Sequence, residues 1–215
     1  MKDKITSALF CLIALSLTGS TSLGAIAAEN EDYKKGSELV EKRAYKDAIP
    51  FFDKAIENEP KHADAILDRA LCNYHLGNYQ QVIDDCKVVL THSDAHQVVK
   101  RQACMLMAGA QNAQGSYSDA VKSCDEAITI SPHASLCYSD RAFAYKQLKR
   151  YEEALKDCNE AIKLDPKHAS NYELRAAIYE SMASADRAKF KEVLNERKPG
   201  EKPWQKVHSA ESESK

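Results

Sequence analysis

The chain has 215 residues, 44% hydrophobic and 29% charged, a balance that excludes wholesale disorder. Thirty Lys and Arg against 32 Asp and Glu leave a formal charge of −2, so there is no basic excess to grip a phosphate backbone and nucleic acid is not an expected partner. Seven Gly and six Pro exclude collagen-like, Pro-rich and Gly-linker architectures, and seven Cys are too few for a disulfide scaffold.

Lys2 and Lys4 open the chain with positive charge, and no charged residue follows between Ile5 and Ala28. The densest apolar run is Ala8 to Leu15, and small residues close the segment at Ala25-Ile26-Ala27-Ala28 before Glu29. A basic start, a short apolar run and a small-x-small site define a secretory signal, so residues 1–28 are read as a signal peptide cut after Ala27 or Ala28. Phe10 before Cys11 excludes lipid attachment there, where a small residue is needed. Left uncut, the 24 uncharged residues would reach across the roughly 30 Å of a bilayer as an anchor. The polar second half, Thr18 to Gly24, favours cleavage. Either way the working domain is expected outside the cytoplasm, secreted or periplasmic, and at a membrane only if the leader stays uncut.

Beyond the leader the chain repeats itself. Asn78-Tyr79-Gln80-Gln81-Val82, Ser116-Tyr117-Ser118-Asp119-Ala120 and Arg150-Tyr151-Glu152-Glu153-Ala154 align, each reaching a cysteine four residues later. Ala44-Tyr45-Lys46-Asp47-Ala48 aligns too, with Phe52 in the cysteine's place. Ala48, Val82, Ala120 and Ala154 are spaced 34, 38 and 34, and Ala188 falls a further 34 along. The tract 29–202 therefore divides into 29–62, 63–96, 101–134, 135–168 and 169–202, with 97–100 as an insert. Each unit carries two runs with apolar residues at helical spacing, joined by a turn at Gly77, Gly115 or Lys149-Arg150. Pro60, Pro132 and Pro166 end the second run. The four-residue insert is about one helical turn, so it lengthens the first helix of the third unit without rotating its buried face. Ser93 is the expected N-cap of that helix.

These units resemble the tetratricopeptide repeat. Its small residue at unit position 8 is met by Gly36, Ala70, Ala108, Ala142 and Ala176, its Ala at position 27 by Ala55, Ala127 and Ala161, and its Pro at position 32 by the three prolines. Val82, Val89 and Asp94 depart from the pattern in the second unit, and Glu192 and Asn195 in the fifth, which is expected to be a degenerate solvating cap. The resemblance implies an all-α, right-handed α-solenoid of about five helix-turn-helix pairs. A polar tail is expected over 203–215.

No phosphate loop, His-Glu-x-x-His or Gly-x-Ser-x-Gly is present, so no catalytic residue, cofactor or metal is assigned and an enzyme is not expected. His92 and His96 stand at i and i+4 but lack a third ligand, and His62 and His168 recur at position 34 as part of the repeat. Cys72, Cys86, Cys104, Cys124, Cys137 and Cys158 read as buried or free thiols, with Cys104 and Cys137 the pair most able to bridge. The resemblance places a concave face on the first helices, lined here by Tyr33, Leu67, Asp68, Leu71, Met105, Leu106, Asp140, Phe143 and Glu173, with Tyr74 and Leu136 beside them. Apolar residues with interspersed acids suit an apolar, basic protein or peptide segment. Chaperone-tail-binding members clamp carboxylates with Lys and Asn. Tyr33, Ser37, Asp68, Gln102 and Leu106 stand at those positions, so that partner is rejected. The expected function is an exported interaction module, with a self-assembling component of the cell envelope as the alternative.

Overall fold

The computed structural model describes residues 31–92 and 95–196; the leader, Ser93, Asp94 and the tail 203–215 lie outside them. Among the described residues there are nine helices and no strand. The first repeat gives α1 (Glu31–Glu41) and α2 (Tyr45–Asn58), and the second α3 (Ala63–His75) and α4 (Tyr79–Thr91). The third gives α5 (Gln97–Gln114) and α6 (Tyr117–Ile130), the fourth α7 (Ser135–Gln147) and α8 (Tyr151–Leu164), and α9 runs Ala169–Asn195. Consecutive helices pack on one another from α1 to α8, and α1, α3, α5 and α7 also touch in series. The first helices thus form one layer and the second helices another, the helical solenoid of the sequence reading. At 18 residues, α5 is longer than the 13 residues of α3 and α7, as the insert requires.

One turn closes all four helix pairs. Position 15 of each repeat, Arg43, Gly77, Gly115 and Lys149, is left-handed, with φ of 58°, 79°, 82° and 61°. The next residue donates its amide back across the turn, Ala44 to Leu39, Asn78 to Asn73, Ser116 to Gln111 and Arg150 to Tyr145, at 2.8–2.9 Å. This six-to-one bond satisfies a carbonyl that a helix end leaves open and reverses the chain in two residues. The other ends obey proline: α2, α6 and α8 stop at Asn58, Ile130 and Leu164, two residues before Pro60, Pro132 and Pro166.

The expected fifth pair does not form. Ala183 stands at position 15, and α9 passes straight through it as one 27-residue helix. Alanine is the best helix former and has no low-cost left-handed state, and the Tyr at position 17 of the other four repeats is Ala185 here. The described residues up to Ile178 form one compact body and those from Tyr179 a second. In the first, α9 buries Asn171, Leu174 and Ile178. In the second, none of the described residues is buried, and Tyr179, Phe190, Val193 and Leu194 are exposed.

Side chains at fixed repeat positions join neighbouring repeats. Arg69 grips Asp85 of its own repeat with two bonds, Nε–Oδ2 at 3.0 Å and Nη2–Oδ1 at 2.7 Å, and reaches back to Asp53 of the preceding repeat at 2.7 Å. Arg141 repeats the pattern, gripping Asp157 at 2.7 and 2.8 Å and bonding Asp125. Arg175 continues it to Asn159 at 3.0 Å. In the third repeat Met107 takes the arginine's position and Lys87 that of the preceding acid. There the junction is apolar, with Ile66, Leu71, Val82, Val89, Leu106 and Met107 in one cluster. Tyr138 and Tyr172 add hydrogen bonds to the carbonyls of Pro132 and Pro166 in the repeat before, at 3.1 and 3.0 Å.

Within each pair, the residues at positions 8 and 24 trade volume. The first repeat sets Gly36 against Phe52, where a Cβ on Gly36 would lie 2.7 Å from the fully buried ring. The next three set Ala70, Ala108 and Ala142 with Cys86, Cys124 and Cys158, all at most 1% exposed. Cys104 and Cys137 share a cluster with Ala127 as free thiols, and all six described cysteines are free and buried. Burial raises Cys104 and Cys137 to about 12 and Cys158 to about 11, which leaves these thiols protonated and unreactive.

Two outcomes follow for urea unfolding of the whole chain. Gly36→Ala is expected to cost about 1–3 kcal/mol through overpacking, and less in a Phe52→Leu background; an equal penalty in both backgrounds would separate the two residues. Arg141→Met is expected to cost about 2–4 kcal/mol because Asp157 stays buried and unpaired. Lys122→Met, which removes an exposed pair with Asp119, leaves the unfolding midpoint where it was.

Candidate functional site

The layer of first helices carries the site. Of its expected lining, Leu67, Leu71 and Leu106 are only 8, 7 and 5% exposed and pack in the core cluster between the second and third repeats. They are walls of the core rather than anchors open to a partner, because the close approach of α3 and α5 covers them. Tyr33, Asp68, Met105, Asp140 and Phe143 remain partly exposed and Glu173 is fully so. Tyr33 packs against Phe52 and His62, with ring centroids 6.0 and 4.7 Å away. Met105 leans on the Cys104–Cys137 cluster. Phe143 meets the Tyr117 ring edge-on at 6.3 Å, with the Lys146 ammonium 5.7 Å from its centroid.

The two acids at position 6, Asp68 on α3 and Asp140 on α7, differ in their surroundings. Asp68 accepts a hydrogen bond from the Tyr33 phenol; its burial outweighs that bond and, with Asp64 nearby, raises the carboxyl to about 7. Asp140 rises to about 7 from burial alone. No hydrogen bond or ion pair reaches its carboxylate among the described residues; its only bond is the backbone carbonyl, which accepts from Asn112 Nδ2 at 3.1 Å. Asn112 Oδ1 is buried and unpartnered. Tyr74 reaches over α5 from α3, near enough to Asp140 for that charge to raise its phenol.

Gly109 permits that crossing: a Cβ there would sit 3.2 Å from the Tyr74 ring. Gly109 and Asn112 are site residues that sequence reasoning missed. The available signal was a glycine inside a helix, which costs about 1 kcal/mol against alanine and marks a close approach.

The histidines divide. His62 Nδ1 accepts the Ala65 amide at 3.2 Å and caps α3, whereas Nδ1 of His168, at the same repeat position, has no partner. His92 follows α4 and His96 precedes α5 without capping it. Among the described residues no group of three or more His, Cys, Asp or Glu is placed to hold a metal ion, and no helix is long and apolar enough to cross a membrane.

Comparison with known proteins agrees with the repeat reading. The tetratricopeptide repeat family model matches residues 135–168, the bounds of the fourth unit. The model of anaphase-promoting complex, cyclosome, subunit 3 matches residues 41–127. The chain is 28% identical over 124 residues to a tetratricopeptide repeat protein 4 homolog of Dictyostelium discoideum, covering 56% of this chain and 29% of that one. It is 33% identical over 86 residues to the Hsp70/Hsp90 co-chaperone cns1 of Schizosaccharomyces pombe, covering 35% and 24%. The chain thus spans less than a third of the length of these curated relatives. A thermophilic TPR protein of Thermus thermophilus shares the fold with a TM-score of 0.59 at 18% identity, over 80% of this chain and 93% of that one. These findings support a tetratricopeptide repeat protein, a class built for protein–protein interaction.

The carboxyl of Asp140 also gives a stability signature. Because its folded value, about 7, lies above the ordinary 3.8, the folded state holds the proton more tightly, and stability falls as pH rises through that window. Asp140→Asn is expected to be the more stable protein at pH 8, by about 1–3 kcal/mol, with the difference gone near pH 4. Urea midpoints at the two pH values measure it, and a pH-independent difference would contradict it.

Proposed function

We propose that this chain is a non-enzymatic, exported adaptor that captures a protein or peptide segment along the face of its first helices. The observation that carries the reading is the pair Asp68 and Asp140, carboxylates on the same face of α3 and α7 kept partly desolvated at a cost to stability. A fold retains such groups where they meet a partner. Tyr33, Met105 and Phe143 supply the apolar anchors, with Glu173 at the far end, and the acids select a basic segment over an acidic one. A chaperone tail ending in carboxylates is disfavoured on the same ground. Export rests on the leader pattern of residues 1–28. It places binding outside the cytoplasm, with membrane attachment only if the leader is retained.

The test is cross-linked co-purification from the native extracytoplasmic fraction with a C-terminal tag. A stoichiometric partner is expected that Phe143→Glu releases while helical circular dichroism is unchanged. Retention of that partner by Phe143→Glu would refute groove capture. The exposed Tyr179, Phe190, Val193 and Leu194 favour a second reading, self-assembly into an envelope structure. Light scattering separates the two: a monomer across a wide concentration range upholds the adaptor, and a mass that grows with concentration upholds the assembly.

A further inference from the structure

Within that groove, Asp140 and Asn112 present two hydrogen-bond acceptors and no donor. The amide orientation of Asn112 is fixed, because its Nδ2 faces the Asp140 carbonyl at 3.1 Å; the flipped amide would set oxygen against oxygen. That leaves Oδ1 buried without a partner beside a carboxylate that also has none. The nearby cation, Arg141, is committed to Asp125 and Asp157. The other titratable groups close enough to interact with Asp140, namely Tyr74 from α3, Cys124 from α6 and Cys137 on α7, are all held neutral by burial. Asp68, at the same repeat position, already accepts from Tyr33 and lacks this double vacancy. An unmet buried acceptor costs about 1–3 kcal/mol, so the arrangement is suited to a ligand that brings its own donors.

We propose that Asp140 and Asn112 form a receiving site for a primary ammonium group, the head of a lysine side chain on the captured segment. A guanidinium is planar and takes a carboxylate edge-on with two nitrogens, whereas an ammonium is compact and turns three donors toward convergent acceptors. The buried Asn112 Oδ1 admits only the smaller head. Phe143, three residues on from Asp140 and so on the same helix face, offers an aromatic surface for the methylene stem. The site makes lysine the specificity-determining residue of the partner.

The inference rests on the groove reading, but its test needs no protein partner. The probe is n-butylammonium chloride, titrated into the isotopically labelled full chain at pH 7.5 and followed by NMR. The Asn112 side-chain amide and the Asp140 carboxyl carbon are expected to shift together and saturate, while the Asp68 carboxyl carbon and a butanol control stay still. Asp140→Asn, which relieves a buried charge and so keeps the fold, is expected to weaken binding about tenfold or more. Equal shifts at Asp68 and Asp140, equal binding by butylguanidinium, or no saturable shift at Asn112 would each overturn the site. In that case release of the partner by Phe143→Glu still upholds groove capture. Conversely, a partner retained by Phe143→Glu refutes groove capture even if the amine binds.

Discussion

The left-handed residue at repeat position 15 decides where the chain turns back on itself. Where Arg43, Gly77, Gly115 and Lys149 adopt it, one residue and one back-donated amide close a helix pair, and the small residue at position 8 can meet the second helix. Where Ala183 stands instead, no pair forms and α9 continues. Two of the four turns use residues with a Cβ, at a steric cost of about 1–2 kcal/mol each. The tertiary packing of the pair repays that cost, because an unpaired amphipathic helix would leave its apolar face in water.

Pairing alone does not stack the repeats, and two different devices do so. Arg69 and Arg141 each hold one acid of their own repeat and one of the preceding repeat, joining the first to the second and the third to the fourth. Between the second and third repeats Met107 and Lys87 remove this staple, and a larger apolar cluster takes over. Burial of Leu67, Leu71 and Leu106 belongs to that exchange: once the junction has no ion pair, these leucines seal it and are withdrawn from the groove.

The groove that remains is more polar than its residue list suggests. Its open features are rings, a methionine and two desolvated carboxylates, one answered by a tyrosine and one not. The protein carries the cost of Asp140 at neutral pH, and Gly109 gives up a side chain so that Tyr74 can approach it. Both are local costs to stability, concentrated on one helix face, as expected of a surface that acts on a partner rather than one that only holds the fold.

The repeat period, the helix pairs, the proline stops and the longer α5 were legible in the sequence because each depends on residues near in the chain: apolar spacing, a missing amide, four inserted residues. The burial of all six described cysteines was legible too, since their repeat positions face the core. The failed fifth turn was written at Ala183 and Ala185 but needed the four working turns as a standard. What only the tertiary structure decided was which first-helix residues stay open. Leu67 and Met105 look alike on a helical wheel, and their exposure depends on how closely the neighbouring helix approaches. The pairing of Asp140 with Asn112 likewise joins residues 28 apart across two repeats. No spacing rule predicts that an amide will spend its donor on a backbone carbonyl and leave its oxygen facing none.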